Sequence, residues 1–319
     1  MHLPSELPQD LLHGPFTVAQ ARSAGLTRRR LRASDLVQPC RGARFSALAE
    51  DTLLLRATAL VAVTGAVVSH LSAAALWGFP LPLELQNIDV VHLTCSPGQR
   101  AVRRKGVVGH QLILEPAEIT SGRHVQCTSP LRTWFDLAGI LGLDDLVIAG
   151  DFLFRRRNPL ATLAELDDFL SGKTGKPGYR RAMRACALLR TRTDSPKETE
   201  VRLLLRRHGL PEPAINVPMV DASGRWIQDP DMSYEREKIA IQYDGGHHAS
   251  PAQRRSDIFR DEDAKEAGWR VVVLTQSDLD PFAPGAEPRA VTRVRKALVE
   301  RGWAPEPSRR RRPSDANGR

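Results

Sequence analysis

Apolar positions recur along this chain in two rhythms, and the switches between them mark its elements. Residues 51–68 are rich in alanine, leucine and valine and predict a helix; a second follows at 69–76 and stops at Trp77-Gly78-Phe79-Pro80. The rhythm then shortens. Residues 88–94, 106–114 and 124–127 alternate with a period of two, which predicts a small antiparallel sheet. Ser129-Pro130 opens another helix through Ala138, and residues 143–154 predict one more. At Ser195-Pro196-Lys197-Glu198 a capping serine, a proline at the first position and a glutamate three residues after the cap open a helix that stops at Gly209-Leu210-Pro211. Three strand-like runs follow, at 214–220, at 225–234 with Pro230 interrupting it, and at 238–244. A helix over 251–267 and a strand over 269–275 complete the order helix, three strands, helix, strand.

The start of the chain uses the same signals on a smaller scale. Thr17 caps a short helix kept slim by Ala19, Ala21 and Ala24, and Gly25 ends it. A second helix over 27–33 carries Arg28, Arg29, Arg30 and Arg32, and a hairpin over 37–45 turns at Gly42. Two short helices around a glycine turn, the second basic and followed by a wing, is the layout of a helix-turn-helix reader of DNA. A solvated basic helix face is the competing reading of the same four arginines.

Composition narrows the partners. The net charge of +9 over 319 residues favours a polyanion, because neutralised phosphates release condensed counterions. Arginines also cluster at 155–157 and at 309–312; the latter lie in a tail, 308–319, with no apolar pattern, which predicts disorder. No run approaches the roughly 18 apolar residues a membrane span requires, and the first residues, MHLPSELPQDLLHG, lack the basic start and apolar stretch of a secretory signal. A cytoplasmic protein without a membrane partner is expected. Cys40, Cys95, Cys127 and Cys186 are scattered and predict four ordinary thiols rather than a disulfide framework or zinc knuckle. His70, His92, His110 and His124 stand apart in sequence and are read as surface or hydrogen-bonded core residues. The stretch SGKTGKPGY at 171–179 lacks the upstream glycine and buried strand of a phosphate-binding loop and is read as a linker.

Chemistry concentrates near the C-terminus. In KIAIQYD, residues 238–244, Ile239, Ile241 and Tyr243 face one way while Gln242 and Asp244 face the other. Polar groups on an apolar strand need compensation, and a divalent cation shared with Asp231 on the neighbouring strand supplies it. Magnesium commonly takes only one or two protein carboxylates. Each residue also has a plainer reading: Glu198 as a capping acid, Asp231 and Asp244 as turn aspartates, His247 as a solvated neighbour, and Asp257, Arg260 and Asp261 as a solvated helix face.

Two resemblances sharpen this picture. The segment FTVAQARSAGLTRRRLRASDLVQPCRGARFSA resembles the winged-helix start of AbiEi-type antitoxins and related actinobacterial proteins, and SHLSAAALWGFP and CTSPLRTWFDLA resemble their middle domain. The motifs SPKETEVRLLLRRHGLPEP, DPDMSY, IAIQYDGGHH and RRSDIFRDEDAKEAGWRVVVLT resemble, in that order, the PD-(D/E)XK nuclease superfamily in its branch similar to very-short-patch-repair (Vsr) endonucleases. The implied architecture is an α/β, multi-domain α+β chain: a winged helix at 1–49, an α+β middle domain at 50–190, a restriction-endonuclease-like αβββαβ core at 195–300, and a disordered basic tail at 301–319. The second resemblance implies phosphodiester hydrolysis with Mg2+ or Mn2+. Glu198 matches the acid of the first helix, Asp231 the aspartate of the P-D pair, Asp244 the second metal carboxylate, and His248 the histidine after the D-G turn, a candidate proton acceptor. Asp257, Arg260 and Asp261 match the polar face of the following helix, and Arg255 or Arg260 is placed to steady the developing phosphorane charge. Gln242 stands where relatives usually carry glutamate, and Asp244 where the superfamily name has lysine; the amide at 242 coordinates without adding negative charge. The expected function is a metal-dependent endonuclease acting on duplex or nicked DNA, with a homodimer suiting duplex cleavage. The alternative is a non-enzymatic, antitoxin-like DNA-binding regulator that retains a degenerate nuclease fold.

Overall fold

The computed structural model describes residues 4–86, 89–122, 125–221, 223–245, 260, 262–281 and 283–305. The chain is of mixed α/β class and divides into two compact units, 1–191 and 192–319. His124, His247, His248, Arg255, Asp257, Asp261 and the tail over 308–319 lie outside the described residues. Among the described residues no helix is long and apolar enough to cross a membrane.

In the first unit, Thr17 accepts the Gln20 N–H while Gln20 Oε1 accepts the Thr17 N–H, and this reciprocal cap starts α1, Val18–Ser23. Gly25, at φ +80°, turns the chain out of it. The expected second helix shrinks to one 3-10 turn, Arg30–Arg32, because Ala33 is already extended. That early exit lets Asp35 fold back on Arg30. The strands β1 (Phe16–Thr17), β2 (Leu36–Val37) and β3 (Ala43–Ser46) form an antiparallel sheet in the order β1-β3-β2, with Gly42 at φ +102° before β3. Phe16, Ala21 and Leu31 fill a small core of their own. This segment shares its compact unit with residues 50–191: β1 and β3 pack on α2, Leu53–Thr64, and Arg104 Nη1 donates to the Arg41 carbonyl at 2.6 Å.

After α2, Gly65 in the left-handed region leads into β4 (Val67–Val68), and α3 (His70–Trp77) ends at left-handed Gly78. With β5 (Val91–Cys95), β6 (Val107–Gln111), β7 (Ile119–Gly122) and β8 (Val125–Thr128), β4 builds a five-stranded sheet in the order β6-β5-β4-β8-β7. The sheet is mixed, not antiparallel as the alternation suggests: β5–β6 and β4–β8 run parallel. β5 is buried along its whole length, as strands with a parallel neighbour commonly are, although its residue types alternate. Helices α4 (Pro130–Leu137), α5 (Leu143–Leu153), α6 (Leu163–Ser171) and α7 (Tyr179–Cys186) follow. Trp134, fully buried, donates to the Leu146 carbonyl at 2.9 Å and so ties α4 to α5. Residues 172–178 form turns, in agreement with a linker, and all four cysteines are free thiols.

The second unit begins with α8, Pro196–Arg207, whose cap Ser195 accepts the Glu198 N–H at 3.2 Å. The strands β9 (Ala214–Ile215), β12 (Met232–Tyr234), β13 (Ile239–Asp244) and β14 (Arg270–Thr275) form a sheet in the order β14-β13-β12-β9, with only the β13–β14 pair parallel. Two of the expected long strands are broken. Residues 214–220 split into β9 and β10 (Met219–Val220), and 225–234 split at Pro230 into β11 (Trp226–Gln228) and β12; β10 and β11 pair as a separate ribbon. A proline has no N–H for the ladder, so the strand breaks there. Ile239 and Ile241 pack with Val201, Leu205, Val272 and Leu274 against α8 and α10 (Arg289–Glu300), while Ala240 meets Ile227, Ala264 and Trp269 on the other face. A short α9, Gln276–Leu279, follows β14.

Candidate functional site

The carboxylates of the second unit gather where α8, the β9 loop and the start of β12 meet. Glu198 is 4% exposed, and its Oε2 accepts the Asp194 N–H at 2.9 Å and the Asn216 side-chain amide at 2.7 Å. Asn216 adopts φ +48°, donates also to the Arg192 carbonyl at 2.9 Å, and its backbone N–H reaches the Asp231 carbonyl at 3.1 Å. The same asparagine therefore ties the first helix to the P-D segment. Asp231 stands one residue before β12, and its Oδ2 accepts the Tyr243 N–H at 2.6 Å, across the end of the β12–β13 ladder.

Burial raises the proton affinity of both acids, and like charge adds to it. Asp231 acts on Glu198, and Asp194 acts on Asp231; hydrogen bonds from Asp194, Asn216 and Tyr243 pull in the opposite direction without prevailing. A divalent cation between these groups would reverse both shifts, so the donor set suits a hard, oxygen-seeking ion. Asp194 and Asn216 were not singled out by sequence. Asp194 precedes the helix cap, and Asn216 is an ordinary loop residue until its left-handed backbone turns its amide onto Glu198.

Gln242 and Asp244 alternate away from the Ile239, Ile241 and Tyr243 face, as expected. Gln242 is half-buried and its Nε2 lies 3.3 Å from Gln228 Oε1; Asp244 is exposed at the strand end. The acid whose charge acts on Asp231 is Asp194, beside the helix start, and among the described residues no three carboxylates bring their oxygens within 4.8 Å of one another. Arg260 is exposed, its guanidinium carbon 5.9 Å from the centre of the Trp226 ring.

The four N-terminal arginines separate. Arg28, Arg29 and Arg32 are exposed. Arg30 is buried, with Nη1 and Nη2 on the two Asp35 oxygens at 2.9 and 2.7 Å and Nε on the Ser5 carbonyl at 2.6 Å. Buried and with three of its five N–H donors engaged, Arg30 serves the packing of this segment rather than its exposed surface. In the same unit a cleft of 690 Å3 carries Arg41, Arg56, Arg103, Arg104 and Lys105 along its walls, a basic surface that sequence reading did not single out because its members come from three separate segments.

Three of the histidines that stand apart in sequence are hydrogen-bonded and meet in space. His70, His92 and His110 each bring one ring nitrogen within 4.8 Å of the others. His92 and Thr94 on β5 and His110 on β6 share a sheet face, and His70 begins α3 above them; the His70 and His110 rings stack at 3.6 Å.

No family model matches the chain. Two uncharacterized proteins of Mycobacterium tuberculosis, MT2308 and Rv2248, are each 29% identical to it over 236 residues, spanning 72% of this chain and 82% of theirs. A crystal structure of the RV2827C protein of Mycobacterium tuberculosis aligns with 59% of this chain and 74% of its own at a TM-score of 0.37 and 18% identity.

Proposed function

We propose that the chain is a metal-dependent DNA endonuclease whose second unit is a Vsr-like PD-(D/E)XK domain and whose winged-helix start and middle domain engage DNA. The observation that carries this reading is the buried Glu198 beside the half-buried Asp231, joined through Asn216 at the end of a strand ladder. Two acids partly or wholly withdrawn from water, with the charge of Asp231 acting on Glu198, are costly without a counter-ion and useful with one. Glu198 and Asp231 would hold Mg2+ or Mn2+, with Asp244 and Gln242 at the neighbouring strand end; the chemistry such an ion would supply when bound is polarisation of a phosphoryl oxygen and a lowered pKa for coordinated water. Tyr243 N–H and the Asn216 amide fix the two carboxylates, so their remaining oxygens are held ready without reorganisation. His248 is the proposed proton acceptor, and Arg255 and Arg260 the charge-stabilising cations. Arg28, Arg29 and Arg32, together with the basic cleft, would follow the phosphates of duplex or nicked DNA, a homodimer presenting one cutting unit to each strand.

One observation favours the alternative of a non-cutting, antitoxin-like regulator: Gln242 supplies an amide, close to Gln228, where the nuclease reading calls for a third negative charge. Cleavage of supercoiled and nicked plasmid with Mg2+ or Mn2+ decides between them. Metal-dependent cutting that Asp231→Ala abolishes supports the enzyme; tight binding by both proteins with no cutting supports the regulator.

A further inference from the structure

We propose that His70, His92 and His110 form a binding site for a first-row transition-metal ion, zinc(II) foremost, in the first unit. This site is independent of the carboxylate pair and of the nuclease reading.

Three imidazoles from elements far apart in sequence meet as a near-parallel stack, so holding one ion requires the rings to tilt until their in-plane lone pairs meet. His92 Nδ1 and His110 Nε2 lie 3.0 Å apart, close to the roughly 3.3 Å edge of a tetrahedron built from Zn–N bonds of about 2.0–2.1 Å. Without a metal, that distance is a single hydrogen bond between two neutral rings; with one, the bridging hydrogen moves to the outer nitrogen of its ring and both inner lone pairs turn to the ion. Imidazole is a borderline-soft donor that selects zinc, copper, iron or nickel over magnesium. Three protein ligands leave a fourth position open. His70 and His92 are buried, whereas His110 is half-buried and provides an approach from solvent.

Two further observations set this cluster apart from a satisfied core network. Asp136 is buried, with Oδ1 on Arg132 Nε at 2.8 Å, while its buried Oδ2 has no hydrogen-bond partner and lies 3.8 Å from His70 Nδ1. Ser69 Oγ lies 2.9 Å from the same nitrogen and takes the Thr94 hydroxyl at 2.7 Å. A hydroxyl in hydrogen-bond reach of one ring nitrogen and a carboxylate behind it favour a proton there, which would leave the other nitrogen as a ligand, the arrangement that supports metal-bound histidines. The second observation is backbone: His70 holds φ +49° at the first position of α3. A non-glycine residue there costs free energy that the surrounding contacts offset.

Cobalt(II) is the probe, because it reports tetrahedral nitrogen coordination in the visible spectrum. The full chain, stripped of metal, is titrated with Co2+ in excess Mg2+, then with Zn2+. One equivalent of Co2+ should give intense visible bands that stoichiometric Zn2+ removes, and Asp231→Ala should behave identically. His110→Ala, checked for folding by circular dichroism, should lose the bands, and Asp136→Asn should weaken binding about 10–100-fold without abolishing it. The proposal is overturned if wild type gives no such bands, a result that needs no variant, or if they persist in His110→Ala and His92→Ala. Bands lost only on replacing His247 and His248 would also overturn it.

Discussion

Replacing Arg30 by alanine should destabilise the N-terminal segment, whereas replacing its neighbours should only discharge a surface. The Arg30 side chain is 6% exposed, and its guanidinium makes two hydrogen bonds to Asp35 and one to the Ser5 carbonyl. Charge-assisted bonds are worth about 1.5–3 kcal/mol each when intact. Asp35 is 44% exposed, however, and regains water when its partner is removed, which discounts the loss of a fully buried pair. Adding the packing of the arginine stem, the net cost is about 2–3 kcal/mol. For a unit of 191 residues that corresponds to roughly 4–12 °C in the melting temperature. Arg28→Ala, Arg29→Ala and Arg32→Ala should each stay within about 0.5 kcal/mol of wild type. If these three touch phosphates, each should lower the salt slope of DNA binding by about one. Thermal melts followed by circular dichroism, paired with fluorescence anisotropy on labelled duplex at several salt concentrations, separate the two effects. Wild-type melting for Arg30→Ala with a reduced salt slope would refute the assignment of Arg30 to structure.

The raised proton affinities of Glu198 and Asp231 fix the sign of a pH effect. An acid whose affinity is higher folded than unfolded stabilises the fold below the ordinary carboxylate range, near pH 4, and loses that contribution as pH rises through its folded value. Without metal, the stability gap between wild type and Glu198→Gln should therefore turn against wild type from about pH 4 upward, and Mn2+ should close it at neutral pH; a pH-independent gap in urea melts would contradict this. Gln242→Glu should lower the metal concentration for half-maximal cleavage by about tenfold, about 1.4 kcal/mol, and an unchanged requirement would remove residue 242 from the site. At Gly109 an added Cβ would lie 2.3 Å from the Val102 carbonyl oxygen and 2.8 Å from its nitrogen. Gly109→Ala should accordingly cost about 2–4 kcal/mol by urea denaturation, and a loss under about 0.5 kcal/mol would show that the backbone there yields freely.

Sequence alone determined whatever depends on near neighbours. Thr17, Ser129 and Ser195 mark helix starts because a hydroxyl reaches an N–H three residues on, and Gly25, Gly78 and Gly209 mark stops because they take positive φ. The two faces of β13 were legible because its side chains alternate. Tertiary structure decided what depends on residues distant in the chain: the parallel pairing of β5 with β6, the inward turn of Arg30, the seating of Glu198 on Asn216, and the meeting of His70, His92 and His110. Capping and alternation act over a few bonds, so the sequence displays them directly. Strand pairing and ligand convergence are set by packing free energy summed over the whole unit, which no local spacing encodes.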